Sequence, residues 1–316
     1  MTSVVRPYER SLTRYLYGAA HAVVLSGDLT ESTNVGAVRA ELPDRFLSMG
    51  MAEQNMIGVA GGLAREGLVP FVHSFGVFLY RRGLDQIAMS VAYPNLPVRL
   101  VAFCGGYNSK DGVSHQGIDD FAALRGLPNI TLLDLGDATE VEGFLPAAET
   151  VTGPIYVRML RYDVPRLFDP AEPFAVGRCR RLRDGEDVLV LSSGETTRDV
   201  ISAVDMVQER GVGVRHLHVS TIKPFTDDGV LRSLAEPFST IVTVENHVRV
   251  GGLGSAVAEV LAEAGAAGRL LRLGLPDAFL RGGPPVALRK MVGLDPQSIA
   301  AAIEAHHETN SRGSKR

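Results

Sequence analysis

From Ala22 onward, short apolar runs rich in β-branched residues alternate with longer stretches spaced like packed helices, and this alternation admits few folds. Residues 22–26, 69–72, 98–103, 130–133 and 154–158 read as strands, and 53–66, 76–92 and 138–149 as helices between them. The strands are apolar on both faces, as in a parallel sheet covered by helices. Strand–helix alternation of this kind specifies a doubly wound α/β domain. A second series follows, with strands near 187–192, 213–219, 239–244 and 269–273 and helices near 196–210, 227–235, 252–264 and 295–305. Between the two series lies an arginine-rich stretch broken by Pro165, Pro170 and Pro173, which reads as a solvated linker. The expected organisation is two doubly wound domains, 1–165 and 187–316, joined by a linker at 166–186. A polar, frayed end is expected from Glu308 to Arg316.

Two domains suit a chain of 316 residues. A formal net charge of -4 leaves no basic footprint for nucleic acid or an anionic membrane. Only Cys104 and Cys179 are present, which argues against a disulfide framework and for a reducing compartment. The first twenty residues carry Arg6, Glu9, Arg10 and Arg14 rather than a secretory signal. No run approaches the ~18 apolar residues that span a bilayer. A cytoplasmic protein is expected.

Two α/β domains do not name a function, which must be read from the site. Four segments carry chemistry. In Met49-Gly50-Met51-Ala52-Glu53-Gln54-Asn55-Met56, an acidic residue opens a small-residue helix directly after a strand-like Phe46-Leu47-Ser48. Taken alone, Glu53 is an acid favoured by a helix N-terminus. Twenty-two residues on, Phe75 and Phe78 are three apart and share a helix face. They are either core aromatics or a platform able to bury a flat ring. Asp28-Leu29 closes the first strand, where ligands collect in α/β domains, although an Asp there also suits a turn or cap. Lys110-Asp111-Gly112-Val113-Ser114-His115-Gln116-Gly117 places an imidazole in a loop, where it can donate or accept a proton near neutral pH.

Together these segments resemble the pyrimidine-binding domain of transketolases. In the second half, Ser220-Thr221-Ile222-Lys223-Pro224-Phe225, Thr243-Val244-Glu245-Asn246-His247 and Gly251-Gly252-Leu253-Gly254-Ser255-Ala256 resemble the C-terminal domain of split transketolases, deoxyxylulose phosphate synthases and 2-oxo acid dehydrogenase beta subunits. The resemblance implies thiamine diphosphate as cofactor. It makes Glu53 the acid that hydrogen-bonds N1′ of the aminopyrimidine, so that the exocyclic nitrogen can act as a base. It makes Phe75 and Phe78 ring contacts, places Asp28 and Leu29 beside the thiazolium, gives His115 catalytic contact with the donor, and makes Asp111 of the same motif a substrate-binding residue. A phosphate-binding arginine is implied at Arg161, with Arg158 as the weaker match; a guanidinium suits phosphate because it pairs with two oxygens. The family's third aromatic falls on Arg81, and the neighbouring Tyr80 is the candidate substitute.

The Gly-Asp-Gly motif by which full-length transketolases hold the diphosphate through Mg²⁺ is not found in this sequence. The resemblance therefore implies a split enzyme. A partner subunit supplies the diphosphate and Mg²⁺ domain, the assembly is α2β2, and a two-carbon ketol unit passes from a ketose, phosphorylated or not, to an aldehyde. No metal site is expected in this chain: His216 and His218 share a strand face, but no further ligand has the right spacing. Phe103 stands where many transketolases have a histidine, and Ser109-Lys110 replaces Gly-Glu, so an unusual donor is expected. Two alternatives stay open: the beta subunit of a 2-oxo acid dehydrogenase, and a non-catalytic scaffold that kept the fold.

Overall fold

The computed structural model describes residues 2–266 and 268–313. The chain is α/β, with two mainly parallel sheets covered by helices. The first sheet has seven strands in the order Thr221–Lys223, Thr131–Asp134, Ile155–Arg158, Arg99–Phe103, Val69–Phe75, Ala22–Ser26 and Phe46–Ser48. Six of them run parallel, and Thr221–Lys223 joins Thr131–Asp134 antiparallel. The second sheet has five, in the order Arg269–Leu275, Thr240–Val248, Val188–Ser192, Val214–His218 and Arg180–Arg183.

The inner strands form where the sequence is apolar on both faces: Ala22–Ser26, Arg99–Phe103 and Val188–Ser192 are buried at every residue. Burying both faces is what the covering helices accomplish. Helix Glu53–Arg65 packs against helix Gly76–Gln86 and its π-helical continuation Ile87–Ala92. Glycine sets that approach. A Cβ at Gly83 would fall 2.3 Å from Ile57 Cδ1, and one at Gly61 would fall 2.6 Å from the Ser90 carbonyl oxygen. The Gly61 contact is with backbone and cannot be relieved without parting the helices, whereas the Gly83 contact would require the Ile57 side chain to turn aside.

Several elements differ from the sequence reading, four of them informatively. Helix Pro7–Gly18 precedes strand Ala22–Ser26, burying Tyr8, Leu12 and Leu16 at helical spacing. The expected helix 76–92 changes to π-helix after Gln86, with Gly83 already out of helical geometry. The arginine-rich stretch contributes an edge strand, Arg180–Arg183, antiparallel to Val214–His218. Helix Pro296–Gly313 carries most of the end expected to fray, and residues 314–316 lie outside the described residues.

Candidate active site

Strand Ala22–Ser26 pairs with Phe46–Ser48 on one side and with Val69–Phe75 on the other. Chain direction across the sheet reverses at that point, and such switch points open a crevice at the carboxyl ends of the strands. Glu53 sits over it. Gly50, at φ 68°, turns the chain out of strand Phe46–Ser48, and Glu53 begins the following helix. The Glu53 side chain is only 2% exposed. Ser74 Oγ, from the neighbouring strand, donates to Glu53 Oε1 at 3.3 Å, and Arg82 Nη1 donates to Oε2 at 2.9 Å. A Cβ at Gly27 would lie 3.7 Å from Oε1, in ordinary contact with it, so Gly27 borders that side of the carboxylate.

Phe75 ends its strand and Phe78 lies in the first turn of the next helix. Their rings stack with centroids 5.7 Å apart at 22°. His115 meets both edge-on, at 5.3 Å from Phe78 and 6.0 Å from Phe75. Its Nδ1 is 2.8 Å from Ser114 Oγ. The Arg161 guanidinium lies 5.5 Å from the Phe75 centroid, and that of Arg82 lies 4.1 Å from the Phe78 centroid. Glu53, Phe75, Phe78, His115 and Arg161 thus gather around one pair of rings.

The other sequence candidates stand apart from this cluster. Asp28 is exposed at the strand end, in left-handed geometry at φ 65° that Asp adopts more readily than most residues. Leu29 packs on the core. Asp111 is exposed, with Ser109 Oγ at 3.4 Å from its carboxylate. Tyr80 does not serve as a third platform ring: it is buried and its hydroxyl donates to Asp119. Arg81, at the expected aromatic position, pairs with the same Asp119 at 2.7 Å. Phe103 is fully buried beside Tyr8, so its ring serves the core.

Comparison with known proteins accords with this geometry. Residues 4–166 match the pyrimidine-binding domain of transketolase, and residues 177–299 match its C-terminal domain. The chain belongs to the transketolase family. It is 38% identical to a putative transketolase C-terminal section of Methanocaldococcus jannaschii, covering 89% of each chain. It is 35% identical to a 6-deoxy-6-sulfo-D-fructose transketolase subunit of a Clostridium species, covering 96% of this chain and 94% of the relative. Among solved structures, a split gene transketolase described as an inactive beta4 tetramer superposes with a TM-score of 0.87 at 34% identity, covering 96% of this chain and 98% of the other.

The cleft fits the aminopyrimidine that transketolases use. It offers a carboxylate for a ring nitrogen beside stacked aromatic faces. Ser26 Oγ, at the end of the adjoining strand, is buried without a hydrogen-bond partner. Among the described residues, no group of three His, Cys, Asp or Glu side chains could hold a metal. No described helix is long and apolar enough to cross a membrane.

The sequence reading did not distinguish this cleft from a second polar region, between the domains of the transketolase chain. Arg158, the weaker phosphate candidate, is locked there. It donates to Asp120 Oδ2 at 2.9 Å, to the Asn246 carbonyl at 2.9 Å and to the Gly117 carbonyl at 3.0 Å, while lying over the Phe121 ring. Burial pushes the Asp120 carboxyl up, but the Arg158 charge and hydrogen bonds outweigh it and hold the pKa below the usual value. Beside this pair, a cavity of about 340 Å³ is lined by Glu195, Asn246, Asn108, Arg161, Arg198 and Arg289, among others. Burial raises the Glu195 pKa to about 7, against hydrogen bonds from Asn108 and Asn246.

His216 and His218 are structural. His216 Nε2 is 2.7 Å from Ser192 Oγ, and burial lowers its pKa to about 3. His218 spans Thr197 Oγ1 at 2.7 Å and Glu140 at 3.0 Å, joining the domains. The Gly-rich segment 251–254 packs a helix start onto Glu245, which accepts from the Leu253 and Gly254 amides at 2.8 and 2.9 Å. A Cβ at Gly252 would fall 1.9 Å from Glu245 Oε2.

Proposed function

We propose that this chain is the pyrimidine-side subunit of a split transketolase. It uses thiamine diphosphate to move a two-carbon ketol unit from a ketose donor to an aldehyde acceptor. The observation that carries this reading is the placement of the buried Glu53 carboxylate over the switch point, with the Phe75–Phe78 stack and the His115 edge beside it. A split-gene relative described as an inactive beta4 tetramer supports a partner chain that brings the diphosphate and Mg²⁺ domain, in an α2β2 assembly.

When bound, the cofactor supplies the carbanion chemistry that acyl-anion transfer requires. The chain's residues bind and orient it. Glu53 exchanges a proton with N1′ of the aminopyrimidine. Phe75 and Phe78 bury the ring and keep water away from the Glu53 proton. Asp28 and Leu29, at the carboxyl end of their strand, line the side towards the thiazolium. His115 reaches over the ring edges to hold or pass a proton at a donor hydroxyl. Asp111 steadies the His115 loop, and Arg161 takes the anionic end of the donor as a two-pronged donor of hydrogen bonds.

Ser109-Lys110 reverses a charge relative to many transketolases. One relative is named for a sulfonated sugar. Both support a donor other than xylulose 5-phosphate. Calorimetry with thiamine diphosphate and Mg²⁺ tests the shared site, with binding expected only when this chain is mixed with its partner. Tight binding by the chain alone would defeat the split reading. Donor profiling of the complex follows, and efficient turnover of xylulose 5-phosphate would defeat the specialised donor.

A further inference from the structure

Arg82 follows Phe78 by one helical turn and reaches back over its ring. Its Nη1 donates to Glu53 Oε2 at 2.9 Å while its guanidinium carbon lies 4.1 Å from the Phe78 centroid. The two ends of this ion pair differ in exposure: the Glu53 side chain is 2% exposed and that of Arg82 is 48% exposed. Its neighbour Arg81 is held from several sides, by Asp119 and by the rings of Tyr80 and Phe279.

A guanidinium is flat and delocalised, stacks on aromatic faces and presents N–H groups along its edge. An aminopyrimidine ring has the same two properties. We infer that Arg82 is a positioning residue that stands in for the aminopyrimidine in the free chain, covering Phe78 and hydrogen-bonding Glu53, and that it must swing out before the cofactor enters. The inference rests on the function proposed above and adds a step to it.

Competition follows from geometry. A carboxylate has lone pairs enough for several donors, so Glu53 alone could be shared. The ring face cannot: at 4.1 Å the guanidinium fills the layer that a stacked pyrimidine needs. Departure is easy because the side chain is half in water, where an ion pair is weak. While Arg82 stays, it gives the buried carboxylate a counter-charge in the absence of cofactor. A site that is competent only part of the time binds with an affinity reduced by that fraction. If Arg82 occupies the site nine-tenths of the time, removing it tightens binding about tenfold.

The test uses the full chain, alone and assembled with its partner. The probes are 4-amino-5-hydroxymethyl-2-methylpyrimidine for the lone chain, followed by NMR titration, and thiamine diphosphate with Mg²⁺ for the complex, followed by calorimetry. Arg82→Ala is expected to bind the pyrimidine about tenfold more tightly than wild type. Arg82→Lys, which keeps the charge but not the flat stack, is expected to fall between them. Arg82→Gln serves as a second neutral variant should the alanine protein fold poorly. Equal or weaker binding by a folded neutral variant would overturn the inference, because Arg82 would then accompany Glu53 in the bound state. If thiamine diphosphate binds the wild-type complex and only this tightening is missing, the proposed function stands. Failure of the wild-type complex to bind thiamine diphosphate would remove both.

Discussion

Two of the buried carboxylates that pair with an arginine, Asp120 and Glu53, are built to different ends. Asp120 and Arg158 are 0% and 6% exposed, and the arginine also ties down two carbonyls, one from each half of the chain. Glu53 is nearly as buried as Asp120, but its partner Arg82 is half in solvent. The first pair is sealed on both sides, so neither charge can leave without stranding the other. The second is sealed on one side only, so its carboxylate can change partners. A buried acid therefore becomes a usable acid when its counter-charge is free to move.

The comparison breaks first at Arg158. Arg158→Met should strand Asp120 in the interior and destabilise the chain by about 3–5 kcal/mol, read as a lower Tm and urea midpoint. The same change at Arg82 should cost less than about 1 kcal/mol, because Glu53 gains water as the side chain is lost. Equal losses would erase the distinction between the two pairs. Glu53→Gln should leave Tm nearly unchanged and lower kcat of the assembled complex about 100- to 1,000-fold, measured as ketol transfer. Full activity in that variant would mean that the proton exchange assigned to Glu53 is wrong.

Much of this organisation was legible before the structure. Strands such as Ala22–Ser26 and Val188–Ser192 are apolar up to a closing serine and buried throughout, as a strand of a covered parallel sheet should be. Glu53, Phe75, Phe78 and His115 lie in motifs at recognisable spacing, and the fold brings them together. What sequence missed depends on contacts across elements. Thr221–Lys223 is three residues long and owes its place to a strand about 90 residues earlier in the chain. Arg180–Arg183 is too charged to read as a strand and survives as one because it lies at an edge. Arg82 lies in none of the recognisable motifs, since nothing local places it across from Glu53. Helix Pro7–Gly18 did carry signals, a proline at its first turn and Tyr8, Leu12 and Leu16 four apart.

Smaller tests sharpen the contrast. Glu195 has a folded-state pKa of about 7 against an ordinary 4.5. The folded chain therefore holds more protons than the unfolded chain between those values, and this group costs stability increasingly as pH rises from 4.5 to 7. Glu195→Gln should gain Tm relative to wild type over that window and level off above it, in thermal melts at pH 5, 6, 7 and 8. A pH-independent difference would mean that the Glu195 carboxyl titrates normally. Smallest is Tyr8→Phe. The Tyr8 hydroxyl lies 2.7 Å from His73 Nε2, a neutral, buried imidazole whose pKa burial lowers to about 4. Its loss should cost about 1 kcal/mol without altering kcat.

The first sheet ends in a strand borrowed from the second half of the chain, Thr221–Lys223 against Thr131–Asp134. The two halves therefore cannot be traded between proteins as separate cassettes. A fragment stopping at residue 166 would bare the amides and carbonyls of Thr131–Asp134, a ready template for another chain, and would favour aggregation over function. Recombination within this family should therefore move both halves together.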